Sequence, residues 1–137
     1  MANKYNVILD TNVIISAMIT KDNNSPTVKV LDLFYDKRIS IYYSDEILTE
    51  YKDVLNRKEF NINKQLIGIF INNIKKLANR INPASMDVNL IDLKDQPFYE
   101  LVMSKNINKA KLITGNIKHF PIKPFIMTPS EFINKYF

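Results

Sequence analysis

Asp10, Glu50 and Asp95 are the acids of this 137-residue chain whose settings could do chemistry, and Asn116 is the amide most able to join them. Asp10 follows the apolar run Tyr5-Asn6-Val7-Ile8-Leu9, and Thr114-Gly115-Asn116 closes a second run, Lys111-Leu112-Ile113-Thr114. In open α/β sheets, ligands collect at the carboxyl ends of the strands. If these two strands are neighbours, Asp10 and Asn116 meet at one sheet edge, where Gly115 would let the backbone turn tightly. In a helix from Ser44 to Leu55, setting Ile47 at zero places Leu48, Tyr51, Val54 and Leu55 on an arc from about −20° to about 100°. Glu50 then falls at about −60°, beside the arc, with Glu46 and Asp53 further toward solvent. Asp95 lies just ahead of a helix opening near Pro97. Three carboxylates and an amide oxygen converging there would suit Mg2+ or Mn2+, hard cations that prefer oxygen. Such a metal can activate a water and neutralise the charge that builds on a phosphodiester. Each residue also has a structural use: Asp10 or Asp95 could cap the next helix, and Gly-Asn is an ordinary turn pair.

The elements that must position these residues alternate. Strands are expected at Tyr5–Leu9, Ile39–Tyr43, Lys111–Thr114 and Phe125–Met127, with a weak one at Val88–Ile91. Helices are expected at Val13–Ile19, from Ser25-Pro26, from Ser44, over Ile62–Ile81, at Pro97–Lys105 and from Thr128. In the long helix the apolar stripe Leu66, Phe70, Ile74 and Leu77 reads as core, leaving Ile67 and Ile71 for a dimer surface. Thr11 and Ser16 read as local backbone hydrogen-bonders, and His119 as a turn or phosphate-contact residue. The alternation implies one domain over 1–137, a parallel sheet with helices on both faces.

Composition narrows the chemistry. There is no cysteine, which excludes thiolate sites and disulfides, and only one histidine, which leaves a Ser-His-Asp or paired-histidine mechanism without support. No phosphate-cradling glycine loop is present. No apolar run reaches about 18 residues and the first residues carry no signal-peptide pattern, so a cytoplasmic protein without a membrane span is expected. The net charge of +5 and pI of about 9.3 favour a polyanionic partner.

Val7-Ile8-Leu9-Asp10-Thr11-Asn12-Val13 resembles the opening of PIN domains. Ser44-Asp45-Glu46-Ile47-Leu48-Thr49-Glu50-Tyr51, Asp95-Gln96-Pro97-Phe98, Leu112-Ile113-Thr114-Gly115-Asn116 and Thr128-Pro129-Ser130-Glu131-Phe132 resemble later parts of the same family, in order. The resemblance implies a three-layer α/β/α sandwich around a mainly parallel sheet of four or five strands, related to flap nucleases. It implies a Mg2+- or Mn2+-dependent endoribonuclease, with Asp10, Glu50 and Asp95 as metal ligands and Asn12 and Thr114 orienting them. It further implies the toxin of a toxin–antitoxin pair, with RNA as substrate, a cognate antitoxin as partner and a homodimer as assembly. The family's fourth acidic position is Asn116 here, which removes one negative charge. One well-held metal and modest activity are therefore expected, with Asp92 a weak candidate to compensate. The alternative is a PIN-fold protein that binds RNA or a partner without cutting.

Overall fold

A computed structural model describes residues 4–82, 95–104 and 106–137. Among them, five parallel strands form one sheet in the order β3-β2-β1-β4-β5, built from β1 (Tyr5–Leu9), β2 (Ile39–Tyr43), β3 (Asn79–Arg80), β4 (Lys111–Ile113) and β5 (Ile126–Met127). Six α-helices accompany them: α1 (Thr11–Ile19), α2 (Pro26–Tyr35), α3 (Asp45–Leu55), α4 (Lys64–Leu77), α5 (Gln96–Val102) and α6 (Pro129–Tyr136). Helix α2 packs on β2, α1 and α6, whereas α5 packs on β1, β4 and α3, and α3 in turn on α4. The result is the expected α/β sandwich, with the sheet parallel throughout.

The central strand explains the rest. Val7, Ile8 and Leu9 are completely buried, as a parallel strand covered on both faces requires, and the same holds for Leu112 and Ile113 beside them. The chain lays down β1, β2 and β3 in one direction, then crosses back to place β4 and β5 on the other side of β1. That reversal opens a crevice at the carboxyl ends of β1 and β4, the place where such sheets bind ligands. Leu9 pairs with Ile113 in register, and the Asp10 amide continues the ladder to the Ile113 carbonyl at 2.9 Å. The two residues that follow, Asp10 and Thr114, are thereby forced side by side.

Local signals set several helix starts. Ser44 caps α3 by accepting from the Ile47 amide, and Thr128 and Glu131 form a reciprocal capping box on α6. Asn63 caps α4, so that helix starts two residues later than the periodicity suggests and stops at Leu77. Residues 79–80, expected as helix, instead form β3. Their pairing is mostly backbone, with the Ile81 amide donating to the Tyr43 carbonyl at 2.8 Å, and both side chains are exposed, so no apolar pattern advertises the strand. Arg80 then forks onto Asp45 at 2.6 Å and fastens the edge to the start of α3. Helix α5 ends at Val102, short of the expected Lys105, with Met103 and Ser104 closing it through backbone bonds to Tyr99 and Leu101. The expected strand at Val88–Ile91 and the residue Asp92 lie outside the described residues. No helix among the described residues is long and apolar enough to cross a membrane.

The apolar stripe of α4 is also corrected. Ile67, Phe70, Ile71 and Ile74 are buried, while Leu66 and Leu77 are 54% and 50% exposed. Two overlapping stripes exist in this sequence, and packing against α3 selects the one centred on Ile67 and Ile71. Replacing Ile71 with alanine should therefore cost about 2–4 kcal/mol in urea unfolding. Leu66→Ala, on the outer face, should change stability by only about 0.5 kcal/mol. Equal costs at the two positions would show that the helix is rotated from this placement.

Candidate metal centre

Asp10 stands at the switch point and is almost wholly buried, at 5% exposure. It follows β1 directly and stands at the N-cap of α1, yet its side chain makes no capping hydrogen bond. The carboxylate is instead held across the sheet edge. Thr114 donates its hydroxyl to Asp10 Oδ2 at 2.7 Å, and Asn12 donates its amide to the same oxygen at 3.2 Å. The Thr114 hydroxyl accepts from the Asn116 amide at 3.0 Å, while Asn12 Oδ1 accepts from the Gly115 amide at 3.0 Å. The β4 turn and the start of α1 are thus laced together around one carboxylate.

Gly115 has no left-handed backbone, contrary to the tight turn expected of it. A Cβ at this position would lie 3.4 Å from Asn12 Oδ1, close to an ordinary contact, so the part Gly115 plays here is its backbone amide, which donates to Asn12.

Glu50 is half-buried on α3, and the exposed Glu46 and Asp53 flank it on the same helix, as the helical angles predict. Its carboxylate accepts a hydrogen bond from the Thr11 hydroxyl. Thr11 is therefore not the local backbone-bonder expected from sequence: buried at the head of α1, it reaches across to α3. Ser16 likewise points away from its own backbone, its hydroxyl lying 3.3 Å from that of Thr27 on α2. Tyr51, also missed as a polar residue, is fully buried and donates its hydroxyl to the Leu9 carbonyl at 2.6 Å. It anchors α3 at the carboxyl end of β1. Burial, then the charges of Asp10 and Glu50, push its phenol well above the ordinary range. The hint in the sequence was a tyrosine directly beside the acid it helps to place.

Asp95 stands at the N-cap of α5 and, like Asp10, makes no capping hydrogen bond there. Its Oδ2 atom is buried and lies 3.2 Å from His119 Nδ1, on the short 3-10 turn Ile117–His119 that follows Asn116. Asn116 itself is exposed at the head of that turn.

Electrostatics tie the acids together. The Asp10 carboxyl is raised from 3.8 to about 6, chiefly because burial penalises its charge. Its hydrogen bond from Thr114 opposes the shift, and the negative charges of Asp95 and Glu50 add to it. Asp10, at the β1–β4 crevice, therefore feels the charge of both other carboxylates. Among the described residues, no three Asp, Glu, His or Cys side chains form a ready-made metal cage. The donor chemistry still fits a hard divalent cation: the set is all carboxylate oxygen, and its members raise the cost of ionising Asp10, a cost a cation would relieve.

An all-parallel α/β sandwich with acids at its switch point is a ligand-binding architecture common to many α/β proteins. A family model described as PIN domain matches residues 6–118, and the chain belongs to the PIN-domain family. No curated protein matches the sequence.

The buried charge sets a pH dependence. A carboxyl whose folded pKa is raised contributes stability that is complete below its unfolded value, near 3.8, and is lost as pH rises through about 6. By pH 8 the ionised Asp10 should cost the fold on the order of 3 kcal/mol. In EDTA, Asp10→Asn should therefore melt above the parent protein at pH 8, with the gap closing toward pH 4. A gap that is constant across this range would mean that Asp10 titrates normally.

Proposed function

We propose that the chain is a Mg2+- or Mn2+-dependent endoribonuclease, with Asp10, Glu50 and Asp95 as the residues that hold the metal. The observation that carries this reading is the buried Asp10 carboxylate, pinned by Thr114 and Asn12 within the fields of Glu50 and Asp95. A bound divalent cation would supply Lewis acidity toward a phosphodiester and its attacking water. The protein's own part is positioning. Thr114 and Asn12 fix Asp10, Thr11 fixes Glu50, and the Tyr51 anchor keeps α3 against β1 so that Glu50 faces the same crevice. Ionised carboxylates in this cleft repel an RNA phosphate unless their charge is offset, which makes substrate binding and cation binding interdependent. The surplus of basic residues elsewhere favours the RNA backbone, with affinity falling as salt rises.

In this reading the protein is the cytoplasmic toxin of a toxin–antitoxin pair, held in check by a cognate antitoxin. The exposed Leu66, Ile69 and Leu77 on the outer face of α4 support a homodimer. A second reading is a PIN-fold protein that binds RNA or a partner without cutting. Asn116 favours it, because an exposed amide stands where the family carries a fourth acid.

A mixed RNA substrate with Mn2+ or Mg2+ decides between them. Cleavage should require the metal, vanish in EDTA and be lost in Asp10→Asn. Thr11→Val, which releases Glu50, should lower the rate about 10- to 100-fold, and Asn116→Asp should raise it. Undiminished cleavage by Asp10→Asn would refute the metal-site assignment. A silent parent whose Asn116→Asp variant cuts RNA would establish the second reading.

A further inference from the structure

A groove of about 570 Å³ lies between the turn Ile117–His119, the segment entering β5, and α6. Its floor is apolar, with Phe120, Ile126 and Met127 nearly buried, and Ile122 beside it is 100% exposed. Lys118, Lys123 and Lys135 also line the groove. The acid in the lining, Glu131, is engaged in the α6 capping box, where Oε1 accepts from the Thr128 amide at 3.0 Å. Lys135 lies over the Tyr136 ring, 5.6 Å from its centroid, so the exposed Lys118 and Lys123 are the cations most open to an occupant of this apolar surface. A fully exposed isoleucine beside such a floor adds hydration cost that an occupant would remove.

We propose that this groove binds an acidic, aliphatic peptide segment of a partner protein. Charge complementarity selects acidic residues to face the lysines, and the floor takes aliphatic side chains between them. Single-stranded nucleic acid fits less well. Its phosphates could meet the lysines, but stacked bases need exposed aromatic faces and Phe120, the ring in this lining, is 6% exposed, so the apolar floor would stay uncovered. A second copy fits less well too. The exposed apolar side chains of α4 are accompanied by Lys64, Lys75 and Lys76, which would meet the groove's lysines with like charge. The inference rests on the groove alone and stands whether or not the acid cleft cuts RNA. It also has a consequence for that cleft. Lys118 lines the groove and His119, the next residue, lies 3.2 Å from Asp95, so an occupant would rest on the turn that borders the acids.

The test is fluorescence anisotropy with two short labelled peptides of leucine and glutamate, one alternating and one with leucine at helical spacing. A peptide with lysine in place of glutamate and an oligouridylate serve as comparisons. At least one acidic peptide should bind and the lysine peptide should not. K118E/K123E/K135E and Ile122→Asp should each weaken binding roughly tenfold or more. All four positions are lining or exposed side chains, and circular dichroism checks that each variant is folded. Failure of both acidic peptides to bind, or binding unchanged in the variants, would overturn the proposal. Two further results would also overturn it: oligouridylate binding that alone is lost in the triple variant, which would assign the groove to nucleic acid, and self-association abolished by Ile122→Asp, which would assign it to a second copy.

Discussion

One buried carboxylate organises this molecule. Asp10 emerges where the central strand ends, and the in-register pairing of Leu9 with Ile113 sets it beside the Thr114 turn. An unpaired carboxylate is expensive to bury, and the fold meets that cost with two donors from different elements, Thr114 and Asn12. The compensation is incomplete, since the carboxyl stays at about 6. The remaining penalty comes from burial and from the nearby charges of Asp95 and Glu50. A fold under selection for stability alone would have placed an amide or a hydrophobic residue there, which is why the arrangement reads as functional.

The supporting contacts have a hierarchy. Tyr51 fixes where α3 crosses the end of β1, and Thr11 then fixes where Glu50 falls within that crossing. Asn12 does two jobs, bracing Asp10 with its amide nitrogen and receiving the Gly115 amide with its oxygen. Gly115 contributes its amide to that brace and has no left-handed backbone. The motif Asp10-Thr11-Asn12 is thus three adjacent residues with three separate duties: one acid in the cleft, one hydroxyl for a distant acid, and one amide as a brace.

The parts visible in the sequence were those set by local rules. β1 and β2 could be bounded to the residue because central parallel strands are short continuous apolar runs ended by polar residues. The caps at Ser44 and Thr128 carried their own signatures. Glu50 could be placed beside the apolar arc of α3 by angle alone. What the sequence concealed depended on contacts between distant elements. The Thr11–Glu50 bond spans 39 positions, and nothing near Thr11 distinguishes its hydroxyl from an ordinary one. The α4 stripe was ambiguous because apolar residues at 66, 67, 70, 71, 74 and 77 satisfy two helical faces, and only the partner helix chooses. The β3 edge is made largely by backbone, a signal that side-chain periodicity does not carry. The family resemblance ordered the acids along the chain, but the geometry of their support came from the fold.

The central proposal is that Glu50 and Asp95 join Asp10 in receiving a divalent cation. Carbon-13 NMR of the Asp10 carboxyl, titrated with and without Mg2+, tests it most directly. Without metal the signal should titrate near pH 6, and added Mg2+ should pull the midpoint down as the cation offsets the charge of Glu50 and Asp95. A midpoint near 3.8, or one near 6 that ignores Mg2+, would contradict the account.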